Sequence, residues 1–468
     1  MDTVTDTSLI ENVTFDEMKV GDAASLTRTL KLTDIQLFAA MSGDINPAHL
    51  DPEYAKSSMF QEVIAHGMWG GALISTVLGT QLPGPGTIYL DQSLHFSRPV
   101  TLGDTVTVTV TVTNKFEHHH HVTFDCKCVN QHGATVIRGT AEVMAPTEKI
   151  RRPRIALPQV RVTDKTSHYR RLLALAEEPA PVPMAVVHPC DRDSLLGAVE
   201  AAKAGLIVPV LIGPEAKIRA VAEAEEVDLT PYQVVDMPHS HAAANYGVAL
   251  AREGTVKALM KGSLHTDELM AEVVAKDTGL RTARRVSHVF IMDVPTYSHM
   301  LFITDAAINI APTLDDKVDI VQNAIDLAHV LRVPEPKVAL LSAVETVTQK
   351  MNSTLDAAAL CKMADRGQIT GGVLDGPLAF DNAVSIVAAK TKGIKSAVAG
   401  NADILVVPDL EAGNMLAKQL EYLADAQAAA IVLGTRVPIV LTSRADTVQT
   451  RLASCAVALL LAHYRGTA

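Results

Sequence analysis

The nine residues Thr105-Val106-Thr107-Val108-Thr109-Val110-Thr111-Val112-Thr113 alternate without a break between a polar and an apolar β-branched side chain. Successive side chains of a strand point to opposite faces, so the run predicts a strand with one dry and one wet face. Similar segments flank it at Thr87 to Phe96, His121 to Asn130 and Ala134 to Met144. The turn Pro83-Gly84-Pro85-Gly86 precedes them, and before it His66 to Gln81 is apolar on most faces, with small residues at Gly70, Gly71 and Ala72. A helix of that character must be buried. Together with a short amphipathic helix over Asp34 to Met41, these segments predict an α+β unit in which a long antiparallel sheet wraps one helix.

This unit accounts for less than a third of a 468-residue chain, a length that predicts at least two domains. From Pro146 to about Thr163 the periodicity stops and Arg151-Arg152-Pro153-Arg154 and Pro158 appear, which reads as a solvated linker, the alternative being a contact with phosphate or a neighbouring domain. Beyond it, apolar segments at Met184 to His188, Val208 to Ile212, Val289 to Asp293, Lys337 to Ser342, Ile404 to Val407 and Ile439 to Thr442 alternate with helical ones such as Ser194 to Ala204. That order predicts an α/β domain with a largely parallel sheet and a site at the carboxyl ends of its strands. The expected division is a first domain over 12–146, a linker over 147–163 and a second domain over 164–468.

Fifty-two acidic against forty-one basic residues give a net charge of −11, which disfavours nucleic acid or an anionic membrane as a partner. Five scattered cysteines argue against a disulfide framework or a zinc module. Neither a signal peptide nor a membrane-spanning run is legible, so a cytoplasmic location is expected. The run His118 to His121 does not read as a metal site, because neighbouring residues on a strand face opposite ways; an exposed hairpin end is expected there.

Chemistry concentrates in Ser42-Gly43-Asp44-Ile45-Asn46-Pro47-Ala48-His49, followed by Tyr54-Ala55 and Ile64-Ala65-His66-Gly67-Met68. An Asn-Pro turn between Asp44 and His49 can bring a carboxylate and an imidazole to one water, and the Gly67 N–H at the start of the buried helix can receive an oxyanion. Read without context, Asp44 and Asn46 only form a turn or cap and His49 is a structural histidine. The whole string resembles the motif of MaoC-like, R-specific enoyl-CoA hydratases over roughly residues 12 to 145. The resemblance implies the hot-dog fold and addition of water to a trans-2-enoyl-CoA, giving a (3R)-3-hydroxyacyl-CoA. Asp44 and His49 would activate the water, Gly67 would polarise the thioester carbonyl, Ser75 would support them from the helix, and Asn46 would contact substrate. Ala48 departs from the family's branched aliphatic residue, a change expected to touch packing.

The second part resembles the phosphate acetyltransferase and butyryltransferase family from about Met184 to Ala462. The matching segments include Val187-His188-Pro189-Cys190-Asp191, Met260-Lys261-Gly262-Ser263, Asp375-Gly376-Pro377, Glu411-Ala412-Gly413-Asn414 and Thr442-Ser443-Arg444-Ala445-Asp446. The implied fold is two α/β subdomains, and the implied reaction converts acyl-CoA and phosphate into acyl phosphate and CoA. Ser443 would bind the tetrahedral intermediate, Arg444 the phosphoryl group, and a Gly413-Asn414 turn would offer N–H groups to substrate. Cys190 and Cys361 are read as packing residues. Six positions after the arginine, where the acetyltransferases carry an aspartate taken as the base for the CoA thiol, stands Thr450. Asp446 is the nearest carboxylate and the candidate to replace that base; the Ser-Arg-Ala-Asp version also looks closer to the butyryltransferases. The substrates implied are CoA thioesters and phosphate, with no tightly bound cofactor and no metal, and a homo-oligomer is expected. The competing reading is a hydratase whose second domain is inert and serves oligomerisation or acyl-CoA sensing.

Overall fold

The alternating run lies on a strand over Thr105–Phe116, and Val106, Val108, Val110 and Val112 are all buried while the threonines between them are partly covered. The computed structural model describes residues 9–158, 160, 162, 167–443 and 446–467. The chain divides into two units, Met1–Val162 and Thr163–Ala468.

The first unit runs β1 (Leu9–Glu11), β2 (Ala23–Thr29), α1 (Leu32–Ser42), α2 (Pro47–Leu50), α3 (Pro52–Ser57), α4 (Gly67–Thr80), β3 (Ile88–Gln92), β4 (His95–Phe96), β5 (Thr105–Phe116), β6 (His121–Val129), β7 (Thr135–Met144) and β8 (Arg151–Pro153). A six-stranded antiparallel sheet has the order β2-β5-β6-β7-β3, with β4 also on β7. Its concave face and α4 share one core that includes Trp69, Leu73, Ile74, Val77, Leu78, Val108, Val110, Phe124 and Val143. This is the hot-dog arrangement. Gly70 permits the close approach of helix and sheet, since a Cβ there would stand 2.3 Å from Ile137 Cδ1.

Two expectations need correction. The helix α4 is buried along one stripe only: Ala72, Ser75, Thr76 and Gly79 are exposed, because a sheet covers one side of a helix. The basic run is not a loose linker throughout, since Arg151–Pro153 forms β8, antiparallel to β1. Lys149 reaches Glu11 at 3.2 Å and Glu17 at 2.9 Å, and its ammonium lowers the Glu17 pKa to about 2. No hydropathy period marks so short a pair. His118–His120 forms a single 3-10 turn between β5 and β6, with His118 and His119 exposed.

In the second unit the strands are β9 (Val182–Val187), β10 (Ile207–Gly213), β11 (Gln233–Asp236), β12 (Ala258–Lys261), β13 (Ser287–Asp293), β14 (Leu301–Thr304), β15 (Lys337–Leu341), β16 (Val373–Leu378), β17 (Ile404–Val406), β18 (Gln427–Leu433) and β19 (Ile439–Val440). One eleven-stranded sheet has the order β11-β10-β9-β12-β19-β18-β13-β14-β17-β15-β16. Both arms are parallel, and they join through an antiparallel middle in which β18 pairs with β19 and β13, and β13 with β14. Continuous apolar strands such as Gln427–Leu433, buried at six of seven positions, show that the sheet is covered on both faces.

Candidate active sites

In the first unit, α1 ends at Gly43, whose left-handed φ of 76° turns the chain sharply, with its N–H on Ala39 O. The Asp44 carboxylate then accepts the Asn46 N–H at 3.2 Å, and the Asn46 side chain accepts the Ala48 N–H at 3.1 Å, capping α2. Asn46 thereby spends its side-chain oxygen on the turn. On α2, His49 is buried and its Nδ1 lies 2.9 Å from Ile64 O. His66, the N-cap of α4, is buried too, with Nε2 3.1 Å from Asp44 O.

A carbonyl only accepts, so these contacts fix both neutral tautomers: His49 carries its proton on Nδ1 and His66 on Nε2. Lone pairs are left on His49 Nε2 and on His66 Nδ1, and the latter is buried without a partner. The rings stack at 4.0 Å between centroids. Nitrogen atoms of His49 and His66 and a carboxylate oxygen of Asp44 lie within 4.8 Å of one another. A carboxylate and two imidazoles so grouped suit one water or one cation.

A cavity of about 300 Å³ adjoins them, lined by His49, His66 and Gly67 and by apolar groups that include Trp69, Phe96 and Ile137. Gly67 is the first residue of α4, where N–H groups lack helical acceptors and the helix dipole favours negative charge. A Cβ on Gly67 would stand 3.2 Å from the Phe96 ring, so glycine keeps that corner open. Ser75, two turns further along, is exposed and does not line the cavity. Asp44 thus groups with His49 and His66, His49 and Gly67 share the cavity wall, and Ser75 stands apart from it. His66 had no role from sequence; its signal was its place, one residue before the glycine that opens the helix.

In the second unit the carboxyl ends of β9, β12 and β19 share one edge, while β14 and β17 run the other way and end at the opposite edge. β13 runs with β19 and against β14, so its N-terminal end lies beside the carboxyl end of β14. His188, after β9, contacts Ser263 O, after β12, at 2.8 Å. After β19 comes Ser443, exposed, with its N–H on Asp446 Oδ2 at 2.7 Å and its carbonyl accepting the Asp446 N–H at 3.2 Å. Arg444 and Ala445 lie outside the described residues.

Asp446 is 2 % exposed, and its other oxygen meets Lys418 Nζ at 3.1 Å. Both carboxylate oxygens are thus engaged, one to a cation and one to the loop it closes. Lys418 belongs to the helix Leu410–Leu423, whose first turn holds Gly413 and Asn414. Here a further correction is needed. Gly413 is not in a turn; its N–H bonds Asp409 O at 3.2 Å, and its missing side chain lets the helix approach Asp305 O, 2.7 Å from where a Cβ would be. Asn414 reaches Ala306 O at 3.3 Å, so the pair docks the helix onto the loop after β14.

Thr450 is buried, with its hydroxyl 3.2 Å from that of Thr447, and no carboxylate takes its place. His288, on β13, is fully buried, with the Leu441 backbone as a hydrogen-bonding group to its ring. Burial pushes its pKa down, against the fields of Asp305 and Asp446. Burial likewise pushes the Cys190 thiol up to about 11 and the Cys361 thiol up to about 12, which leaves both protonated at neutral pH and unsuited to nucleophilic attack.

Comparison with known proteins matches residues 239–459 to the family Phosphate acetyl/butaryl transferase and residues 16–129 to the MaoC like domain. A phosphate acetyltransferase of Rhizobium meliloti is 66% identical over 302 residues, covering 64% of this chain and 96% of that protein. A branched-chain phosphotransacylase structure from Enterococcus faecalis is 29% identical, with a TM-score of 0.54, covering 60% of this chain and 99% of that one. An unliganded R-hydratase structure from Pseudomonas aeruginosa is 46% identical over 33% of this chain and 99% of that one, with a TM-score of 0.32. Among the described residues no helix is long and apolar enough to cross a membrane.

Proposed function

The chain belongs to the phosphate acetyl/butyryl transferase family, and from that premise we propose one polypeptide with two activities on CoA thioesters: hydration of trans-2-enoyl-CoA in the first unit and acyl transfer between CoA and phosphate in the second. The observation that carries the hydratase half is the pair of acceptors, His49 Nε2 and the Asp44 carboxylate, fixed beside an apolar cavity and the N-terminus of α4. A single water can donate to both. Its oxygen bonds to C3 of the enoyl thioester, its proton passes to one of the two acceptors, and C2 takes up a proton from the pair. Negative charge on the thioester oxygen meanwhile meets the Gly67 N–H, where an aimed donor stabilises it. The reaction needs no metal, so a chelator leaves hydration unchanged in this reading.

In the second unit a phosphate oxygen attacks the thioester carbonyl, the tetrahedral oxyanion is held by the Ser443 hydroxyl, and the CoA thiolate departs. With Thr450 in place of a carboxylate, the thiol of the reverse reaction loses its proton to solvent; a free thiol has a pKa of about 8.5, so a modest shift suffices. The 66% identity to a protein named phosphate acetyltransferase supports acetyl as the transferred group, ahead of the butyryl group that the Ser-Arg-Ala-Asp segment suggests. Thr450 also favours a second reading, in which this unit binds acyl-CoA without turning it over.

The test is to incubate the purified chain with crotonyl-CoA, and separately with acetyl-CoA or butyryl-CoA and phosphate, following 3-hydroxybutyryl-CoA, acyl phosphate and free thiol. We expect all three products, with acetyl-CoA the better acyl donor. Hydration without acyl phosphate from either donor would support the binding-only reading.

A further inference from the structure

Arg451 is among the largest fully buried side chains of the molecule, 1 % exposed at the start of the helix Val448–Thr467. A buried guanidinium is ordinarily matched by a carboxylate. Asp191, Asp446 and Asp193 act on it through their fields, while the groups that receive its hydrogen bonds are neutral and belong to consecutive residues of the transferase loop: Nη1 donates to Thr442 Oγ1 at 2.7 Å and Nη2 to Ser443 O at 3.1 Å, and Nε is buried without a partner. A second element is shaped around it. On the helix Arg192–Lys203, a Cβ at Gly197 would stand 2.6 Å from Arg451 Cδ and 2.9 Å from its Cβ, so glycine makes room for the stem.

We propose that Arg451 is a positioning residue for acyl transfer, acting from behind the loop through the Ser443 peptide; the proposal rests on the transferase reading above. The Ser443 N–H is tied to Asp446 Oδ2, and its carbonyl takes the Asp446 N–H on one side and Arg451 on the other. A peptide held at both ends leaves the Ser443 hydroxyl only rotation about its own Cα–Cβ bond, and pre-positioning of that kind is where a donor to a developing oxyanion gains its effect. Position 450, six residues after Arg444, holds a threonine, and the residue that follows it supplies a fixed frame instead of a base.

The test uses the full chain in four forms: unmodified, Arg451→Lys, Ser443→Ala and the double variant, with Gly197→Ala as an independent disturbance of the same guanidinium. Folding of each is followed by circular dichroism and melting, and hydration of crotonyl-CoA serves as an internal control. Lysine keeps the charge but loses one of the two directed donors. We expect kcat for acyl phosphate to fall roughly tenfold or more in Arg451→Lys and in Gly197→Ala, with the KM for acyl-CoA little changed. In the Ser443→Ala background Arg451→Lys should cost nothing further, because residues that act through one another are non-additive. Additive losses, an Arg451→Lys variant with unmodified kcat, or losses that only track the unfolded fraction would each overturn the proposal. Absence of acyl phosphate from the unmodified chain would instead sink the transferase reading and take this proposal with it.

Discussion

The orientation of two histidine rings sets the chemistry of the first unit. His49 and His66 each spend one nitrogen on a backbone carbonyl, so in its neutral form each ring presents a lone pair on the other nitrogen. We expect Asp44→Asn and His49→Ala each to lower hydration by at least about 10²-fold, the scale for losing a positioned acid or base, while acyl phosphate formation survives; loss of absorbance of the enoyl thioester measures the first and a hydroxamate assay the second. Near-normal hydration in both variants would end the assignment. At Asp446 the opposite signature is expected. Its oxygens are taken by Lys418 and the Ser443 N–H, so Asp446→Asn should reduce kcat for acyl transfer by loosening the loop without moving the pH profile. A profile that loses its basic limb would restore Asp446 as the base. Asp44, His49, Gly67 and Ser443 were singled out in sequence because motif order and spacing carried them. The turn-or-cap role of Asn46 stood open beside a ligand role, and the place of Gly413 inside a helix was not legible, since the same residue types serve turns, caps and ligands alike.

Among elements, β5 was plain in the sequence because nine residues obey a two-residue period, whereas β2, Ala23–Thr29, was missed with only Ala24 and Leu26 facing the core. Strands β14 and β18 were missed for the converse reason: buried on both faces, they have no period to read. The contact between β7 and the chain before β4 depends on one glycine, since a Cβ at Gly139 would lie 1.9 Å from Ser93 O. Backbone cannot swing aside as a side chain does, so Gly139→Ala should destabilise the first unit by about 1–3 kcal/mol, the usual scale for overpacking. A urea titration followed by the fluorescence of Trp69, the only tryptophan, measures this; an unshifted midpoint would mean the strand relaxes freely.

For the whole molecule, burial fixes how stability depends on alkaline pH. Thiols ordinarily ionise near 9.0, but burial raises Cys126 and Cys190 to about 11 and Cys128, Cys361 and Cys455 to about 12. Above about pH 9 the unfolded chain therefore binds fewer protons than the folded one, so stability is full below that pH and falls as pH rises through the folded values. The urea midpoint should drop between about pH 9 and 11, and less steeply in Cys455→Ala; a flat profile would contradict these burials. Self-association is also expected, because the edge strand β3 exposes Ile88, Tyr89 and Leu90 at 54 %, 42 % and 43 %, an apolar edge that proteins normally cover. Light scattering should give a mass well above the 49.9 kDa of one chain, and a monodisperse monomer would contradict it. What the sequence determined by itself is what local rules encode: the wet and dry faces of β5, the alternation of strand and helix in the second unit, and the spaced motifs of two sites. What the tertiary structure alone decided is which polar groups remain unspent. Asn46, Gly413 and Asp446 were free candidates along the chain and are consumed by caps, packing and an ion pair, while His66 and Arg451, unremarked in sequence, are delivered to the sites by residues far from them. Hydrogen-bond capacity is settled only when the backbone has closed around it.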